Sequence, residues 1–257
     1  MSIPILPLVP AAGGDCAACS DGLDFAIDFA FQPIVDVRQR QIVGHEALVR
    51  GEQGEGAESV LARLTPQTIY AFDQLVRVTA IEKAAALGMR ERLSINFLAN
   101  AVRDPRHCIR STFAAARTFN FPLERIGFEV VGGARVEDSG QLIEIFNAYR
   151  EYGFQTAYDD FGAGFVGLNL LAQFQPDVVK LDIDLVRAVD RDPARQAIVK
   201  AVIAMCGALG SRVLAEGVET RAERDYLFDA GVDLMQGYYF CRPVFRGLGT
   251  IDPALWP

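Results

Sequence analysis

The sequence predicts an α/β fold, specifically a TIM-like (β/α)8 barrel whose first strand is antiparallel to the next. Short β-type runs alternate with amphipathic helical runs along most of the chain, which is typical of parallel strands joined by right-handed crossovers. There are eight β-type runs, and 257 residues is about the length of one such barrel. Only a short polar turn separates the first two runs, so they form an antiparallel hairpin that an ordinary (β/α)8 barrel lacks.

The predicted elements follow one another in a regular order. The opening hairpin pairs residues 29–37 with residues 41–49 through the turn Arg38-Gln39-Arg40, and residues 51–58 are predicted to form a loop. The remaining strands are predicted over residues 93–97, 126–131, 155–160, 177–182, 212–217 and 233–240. Helices are predicted over about 68–87, 105–119, 138–152, 193–209 and 220–230, with a short helix after the glycine-rich loop that follows Asp160.

Composition and charge narrow the class of protein. We expect residues 1–26 to form a flexible tail and residues 27–257 to form one barrel domain, since 51% hydrophobic and 23% charged residues are ordinary for a globular chain. A net charge of −8 argues against binding to nucleic-acid polymers or anionic membranes. No apolar stretch reaches the ~18 residues of a membrane span, and the N-terminal apolar run lacks a basic start, so we expect a cytoplasmic protein.

Cys16 and Cys19 form a C-x-x-C pair within the predicted tail. A metal site would need two further ligands nearby, and none follows in the sequence. A redox pair would normally open a helix after a strand, which this pair does not do. We interpret these thiols as incidental, with intermolecular or regulatory chemistry as the alternative.

Polar residues suited to a functional site lie at or near the C-terminal ends of most predicted strands. In a barrel these ends converge on one face, which is where active sites are built. Each residue alone has an ordinary explanation as a helix cap, a turn residue or an ion-pair partner, but so many strand ends together do not. The residues are Glu46, Asn96, Glu129, Asp159, Asp160, Lys180, Asp182, Glu216 and Gln236.

The types of these residues indicate a centre for hard divalent cations. Several carboxylates with an amide oxygen suit Mg²⁺ or Mn²⁺ and not zinc, and the chain has only two histidines. Two such ions about 3.5–4 Å apart, bridged by a carboxylate, are typical of phosphodiester cleavage. Asp159-Asp160 is the expected bridge. Adjacent strand residues face opposite sides, so both can contribute only if the chain turns there, and we expect Phe161-Gly162-Ala163-Gly164 to provide that turn.

Over residues 29–245 the chain resembles the EAL domain family of c-di-GMP phosphodiesterases. No single matching stretch is specific, but their order and spacing together are. The stretches are Phe31-Gln32-Pro33-Ile34-Val35, Glu46-Ala47-Leu48-Val49-Arg50, Asn96, Glu129, Asp159-Asp160-Phe161-Gly162-Ala163-Gly164, Lys180-Leu181-Asp182, Ala215-Glu216-Gly217-Val218-Glu219 and Gln236-Gly237-Tyr238.

The resemblance implies that c-di-GMP is hydrolysed to linear pGpG at a site with two Mg²⁺ or Mn²⁺ ions. It also implies a homodimer that associates around the Asp159-Asp160 loop. Carried over residue by residue, the ligands of one metal would be Glu46, Asn96, Glu129 and Asp159, and those of the second Asp159, Asp160 and Glu216.

The same resemblance implies catalytic and substrate-binding roles. Lys180 would position the attacking water, Glu216 or Lys180 would manage its proton, and Gln236 would support the water or the ligand. The substrate-binding residues would be Gln32, Leu48 and Arg50, with Arg50 as a phosphate clamp and Asp182 in support.

Three departures from the family pattern define an alternative. The usual Glu-x-Thr-Glu is here Glu129-Val130-Val131-Gly132, the 161–168 loop lacks most of its usual hydroxyl residues, and Asn96 is followed by Phe97-Leu98 instead of Leu-Ser. Because of the first two departures, the alternative is a catalytically weak or inactive domain that acts as a c-di-GMP receptor or protein-interaction module. An unrelated metal-dependent barrel enzyme would use a similar carboxylate set and is the third hypothesis.

Overall fold

The computed structural model describes residues 23–102, 104–130, 139–163 and 167–256. Within these residues the strands are β1 (Ile27–Asp36), β2 (Gln41–Gly51), β3 (Arg92–Phe97), β4 (Ile126–Val130), β5 (Gln155–Phe161), β6 (Val178–Leu181), β7 (Arg212–Ala215), β8 (Leu234–Met235) and β9 (Val244–Phe245). The helices are α1 (Ala57–Leu61), α2 (Ile69–Ala86), α3 (Pro105–Thr118), α4 (Ser139–Glu151), α5 (Leu168–Gln173), α6 (Ile183–Val186), α7 (Pro193–Leu209) and α8 (Arg221–Asp229).

Strands β1 to β8 close into a barrel. Strands β2 to β8 are parallel and hydrogen-bonded in chain order, and β1 closes the ring by pairing with both β8 and β2. β1 is antiparallel to both of these neighbours. The predicted barrel with an antiparallel first strand is therefore confirmed.

The long β1 strand shares one of its edges between two short strands. β8 pairs with β1 at Val35 and Asp36, and β9 pairs with it at Ala30 and Phe31. β9 was not predicted, because a two-residue strand carries no periodicity in the sequence and forms only where the C-terminal segment meets an open edge.

The hydrophobic core has two parts. The larger part lies between the strands and the surrounding helices, where Phe97, Phe128, Phe146 and Tyr149 are buried in contact. The smaller part fills the amino-terminal end of the barrel interior and consists of Ile34, Ala157, Val178, Leu214 and Leu234. The polar interior residues therefore occupy the opposite end of the barrel, at the carboxyl-terminal ends of the parallel strands.

The five long helices end within one residue of their predicted bounds. Their caps explain this agreement, because each cap is local. Asp104 and Asp192 each accept hydrogen bonds from the first backbone N–H groups of a helix that opens with proline. Thr220 and Glu223 form a reciprocal capping box at α8, and Gly210 ends α7 in the left-handed conformation with φ 78°.

Several short elements differ from the predictions. The strand predicted over 233–240 ends at Met235, because Gly237 packs against the backbone of Val218, where a Cβ would lie 2.0 Å from the Val218 carbonyl oxygen. The chain therefore turns immediately after Gln236. α1 lies partly in a predicted loop, and α6 was not predicted, since both are too short to show a helical period.

Some sequence-based expectations concern positions outside the described residues. These are the tail as far as residue 22, with Cys16 and Cys19, the position of Gly132, and residues 164–166 of the altered loop. In the part of the chain that is described, no helix is long and apolar enough to cross a bilayer.

Candidate active site

Lys180 lies at the centre of the polar end of the barrel. Its side chain is 0% exposed, and its Nζ contacts carboxylate oxygens of Glu129 at 2.5 Å, Glu216 at 2.8 Å, Asp159 at 3.0 Å and Glu46 at 3.4 Å. Glu129 lies on β4, Asp159 on β5 and Glu46 on β2, and Glu216 directly follows β7. Among the described residues, four carboxylates thus surround one ammonium group. The excess negative charge favours further cations at this position.

The carboxylates form two groups that share one residue. Ligand atoms of Glu46, Glu129 and Asp159 lie within 4.8 Å of one another, and so do those of Asp159, Asp160 and Glu216. Oxygen donors in this arrangement fit hard divalent cations such as Mg²⁺ and Mn²⁺. Asp159 belongs to both groups, and its role as a bridge between two ions stays a prediction.

Asp160 joins the site because the backbone is distorted at that residue. Its φ is 52°, and the register between β5 and β6 shifts between Tyr158 and Phe161. The distortion lets adjacent carboxylates contribute to one site, which a regular strand forbids. We expected residues 161–164 to make this turn, but it begins at Asp160 itself and continues through Gly162, where φ is 113°.

Amide side chains hold the Glu46 carboxylate on both of its oxygens. Asn96 Nδ2 donates to Oε1 at 2.7 Å, and Gln236 Nε2 donates to Oε2 at 2.9 Å. Gln236 Nε2 also lies 3.2 Å from Gln32 Oε1, and Gln32 Nε2 donates to the Cys241 carbonyl at 3.1 Å. The predicted residues Gln32, Asn96 and Gln236 are therefore brought together around Glu46.

Two of the other predicted substrate-binding residues lie on β2, beyond Glu46. Leu48 and Arg50 are half-buried, and they face the same side of β2 as Glu46 because every second residue does. Arg50 Nη1 donates to the Val49 carbonyl at 2.8 Å. Asp182 is buried and caps α6 by accepting a hydrogen bond from the Asp184 N–H at 2.7 Å. That capping contact is consistent with a supporting position.

Burial and crowding raise the pKa values of several of these carboxyl groups. Burial raises the pKa of Glu129 to about 7 and that of Glu216 well above its usual value, despite the attraction of Lys180. Burial, with Asp159 and other nearby carboxylates, raises the pKa of Asp160 to about 6. Protons on these carboxyl groups would therefore compete with a cation for the same oxygens.

Asp159 and Lys180 shift in the opposite sense, toward the charged form. Burial opposes the charge on Asp159, but Lys180 and hydrogen bonds outweigh it and lower the pKa of this carboxyl group. Burial likewise opposes the charge on Lys180, yet the four surrounding carboxylates raise its pKa well above the usual value. The potential bridging carboxylate is thus ionised and ready to bind a cation.

Sequence analysis missed two kinds of contributor to the site. Ser94 donates a hydrogen bond to Glu129, and its position two residues before Asn96 on β3 was a signal for the same inward face. The short helix α6 packs against both flanking loops. A Cβ on Gly162 would lie 2.5 Å from Leu185 Cδ1, and a Cβ on Gly217 would lie 2.4 Å from Ile183 Cγ1.

Comparison with known proteins supports the assignment that the geometry suggests. The family model described as EAL domain matches residues 24–243. The structure is similar to that of a standalone versatile EAL protein from Vibrio cholerae O395 in its c-di-GMP bound form, with 49% identity, a TM-score of 0.89, and coverage of 91% of this chain and 99% of that one.

Two curated relatives come from Escherichia coli strain K12. The blue light- and temperature-regulated antirepressor BluF is 30% identical over 89% of this chain and 56% of its own length. The probable cyclic di-GMP phosphodiesterase PdeG is 33% identical over 83% of this chain and 44% of its own length. The chain therefore spans about half the length of these relatives. Because the family model covers most of the residues and the barrel matches throughout, this chain belongs to the EAL domain family.

Proposed function

We propose that this chain hydrolyses c-di-GMP to linear pGpG with the aid of two divalent ions, Mg²⁺ or Mn²⁺. The observation that carries the proposal is the pair of carboxylate groups that share Asp159 around the buried Lys180. The c-di-GMP bound state of the Vibrio cholerae protein and the name of PdeG support the substrate and the reaction.

Two sets of residues would hold the ions. Glu46, Glu129 and Asp159, with the amide of Asn96, would bind one, and Asp159 with Asp160 and Glu216 would bind the other. When bound, the ions would supply Lewis-acid stabilisation of the phosphodiester charge and would acidify the attacking water.

Side chains around the metal positions would orient the reactants. Lys180 is fully buried beside Glu216 and Glu129, so its ammonium group would hold the attacking water in place. Glu216 would accept the proton of that water. Lys180, whose pKa is raised well above the usual value by the surrounding carboxylates, would remain an ammonium group. Gln236 would keep Glu46 and Gln32 in register through its two hydrogen bonds.

Side chains of β1 and β2 would bind the substrate. Gln32, Leu48 and Arg50 would contact c-di-GMP, with the Arg50 guanidinium on a phosphate, since such a fork matches phosphate oxygens. Asp182 would act in support, by fixing the start of α6 next to the loop that carries Glu216.

The first experiment is a chromatographic assay of the purified chain with c-di-GMP and Mg²⁺ or Mn²⁺. We expect pGpG to appear with metal, to be absent with EDTA, and to fall by about 100-fold or more in Glu46→Gln, as expected for loss of a metal ligand. Glu58→Gln on the exposed face of α1 is the matched control and should retain full activity. Substrate that stays uncut in every metal-containing sample contradicts the proposal.

A receptor without rapid turnover is the second candidate, and the relationship to the antirepressor BluF favours it. In that case the carboxylates and Arg50 would retain c-di-GMP instead of cutting it. Calorimetric titration of c-di-GMP with Ca²⁺ present would distinguish the two candidates. Tight binding with no pGpG in Mn²⁺ supports the receptor, whereas rapid turnover excludes it.

We further propose that the chain forms a homodimer near the loop after β5. Leu168, at the start of α5, is 63% exposed, and Ile183 on α6 is 41% exposed. Both apolar side chains lie on helices that follow site-bearing strands. Light scattering at micromolar concentration should give twice the mass of one chain, and Leu168→Glu should shift it toward the monomer. A monomeric wild-type chain would contradict the proposal.

A further inference from the structure

A buried ion pair lies outside the barrel, behind strands β3 and β4. Asp73 and Arg77, one turn apart on α2, are 2% and 0% exposed. Arg77 Nε donates to Asp73 Oδ2 at 2.8 Å, and Arg77 Nη1 donates to the Tyr149 hydroxyl on α4 at 2.7 Å. Burying two charges is expensive, and apolar residues of similar size are often as stable, so such a pair calls for a further role.

The second oxygen of Asp73 connects this pair to the end of β3. Asp73 Oδ1 accepts a hydrogen bond from the Leu98 backbone N–H at 3.1 Å. β3 ends at Phe97, and a short 3₁₀ turn over Ala99–Ala101 follows. Leu98 thus connects the strand to the turn, two residues after Asn96. The Asp73 carboxylate therefore fixes the backbone that presents Asn96 to Glu46.

Arg77 packs behind the same two strands. Its guanidinium lies 4.8 Å from the ring centroid of Phe128 and 5.8 Å from that of Phe97. Neighbouring residues on a strand face opposite sides, so Asn96 and Glu129 point inward where Phe97 and Phe128 point outward. Asn96 and Glu129 are also register partners across β3 and β4. One guanidinium thus supports the outer side of both strands where they enter the site.

We infer that Asp73 and Arg77 are positioning residues for the half of the metal centre that β3 and β4 contribute. The inference rests on the proposed function, because it takes Asn96 and Glu129 to be metal ligands. Neither residue touches the substrate. Their effect passes through the Leu98 N–H and through the rings of Phe97 and Phe128, and it fixes the distance from Asn96 and Glu129 to Glu46 and Asp159.

The test compares two double variants that remove the charges together. Asp73→Leu/Arg77→Met keeps the packing but leaves the Leu98 N–H without an acceptor, whereas Asp73→Asn/Arg77→Met restores an acceptor oxygen. Removing both charges avoids an unpaired buried ion. Mn²⁺ binding is titrated by electron paramagnetic resonance without c-di-GMP. We expect the leucine variant to weaken one of two Mn²⁺ sites about 10-fold. The asparagine variant should regain the part of that affinity that depends on the Leu98 contact.

A stability control separates positioning from general loosening. Val199→Ala on α7 creates a cavity at a fully buried position outside β3 and β4, so it should lower the unfolding temperature and leave both Mn²⁺ affinities unchanged. Equal Mn²⁺ binding in the wild type and the leucine variant would overturn the inference. Equal loss in the leucine and asparagine variants would overturn the positioning role of Asp73, because the Leu98 contact would then be irrelevant.

A milder variant tests the inference should the leucine variant fail to fold. Tyr149→Phe removes only the hydroxyl that accepts from Arg77, and it should weaken the same Mn²⁺ site by a smaller factor. Unchanged affinity in this variant would again overturn the inference. Because Mn²⁺ affinity is measured without c-di-GMP, the result stands apart from whether the chain hydrolyses that nucleotide.

Discussion

At the scale of single residues, Lys180 decides the electrostatics of the candidate site. Its ammonium group is fully buried and contacts four carboxylates of the described chain. The carboxylates keep this ammonium group charged, since an unpaired buried ammonium would lose its proton. The same contacts keep Asp159 ionised, so the lysine prepares one metal ligand while it occupies the position expected for orienting water.

Replacing this lysine should impair the reaction far more than it impairs binding. Lys180→Met keeps the length of the side chain and removes the charge, so we expect kcat to fall by about 100-fold or more. c-di-GMP should still bind in Ca²⁺, because Arg50 and the metal ligands remain. Steady-state kinetics and calorimetry check this. Lys200→Met, at an exposed position on α7, is the control, and an unchanged kcat in Lys180→Met would contradict the assigned role.

The raised carboxyl pKa values predict that metal affinity depends on pH. The pKa is about 7 for Glu129 and about 6 for Asp160, so a bound cation must displace protons from these groups. Below these values the protonated forms compete with the metal, so affinity falls as pH falls. Calorimetry from about pH 6 to about pH 8 should show Mn²⁺ affinity rising and protons released on binding. A pH-independent affinity would contradict the assignment.

At the scale of elements, α6 packs against Gly162, two residues after Asp160, and against Gly217, the residue after Glu216. Just before this helix, Asp182 N donates to the Phe161 carbonyl and Glu216 N donates to the Leu181 carbonyl. Leu185 packs against Gly162, and Ile183 packs against Gly217, so closely that a Cβ at either glycine would clash. A helix of four residues thus positions two carboxylates from different strands.

Adding a methyl group at Gly217 tests this packing. Gly217 has φ 63°, and a Cβ there would lie 2.4 Å from Ile183 Cγ1, whereas Gly88 has φ 71° and nothing within 4 Å. Gly88→Ala should cost only the backbone strain, about 1–2 kcal/mol. Gly217→Ala should cost a further ~1–3 kcal/mol from overpacking and should reduce hydrolysis by moving Glu216. Denaturant unfolding and the pGpG assay measure both effects. Equal stability and full activity in the two variants would contradict a role for α6.

At the scale of the whole molecule, the site crosses the barrel interior. Glu46 on β2, Glu129 on β4, Asp159 on β5 and Lys180 on β6 meet from different parts of the ring. In the metal-free protein their repulsion opposes closure, and one ammonium compensates for only part of it. A bound ion would therefore join strands that are distant in the sequence.

Metal binding should consequently raise the stability of the entire barrel. An ion that binds only the folded chain adds about 2.7 kcal/mol at a concentration 100 times its Kd. Thermal unfolding should shift upward with Mn²⁺ and return with EDTA. Asp159→Asn, which alters the shared ligand, should lose most of that shift, whereas Glu58→Gln should retain it. An unfolding temperature that is insensitive to Mn²⁺ would contradict a metal centre between these strands.

Much of the architecture is determined locally and could be predicted. Strand–helix alternation, the hairpin turn and the helix caps at Asp104, Asp192 and Thr220 depend on neighbours within a few residues, so the sequence alone sets them. The candidate site residues were also predictable, because parallel strands bring their carboxyl ends to one face whatever the loops between them do.

What only the tertiary structure decided concerns contacts between distant segments. Three features depend on packing partners far away in the chain. They are the left-handed backbone conformation of Asp160, the end of β8 against Val218, and the position of Asp73 behind Asn96. The sequence by itself determined which side chains reach the barrel end. The tertiary structure decided their distances and pKa values, because burial and charge pairing exist only once the strands have closed the ring.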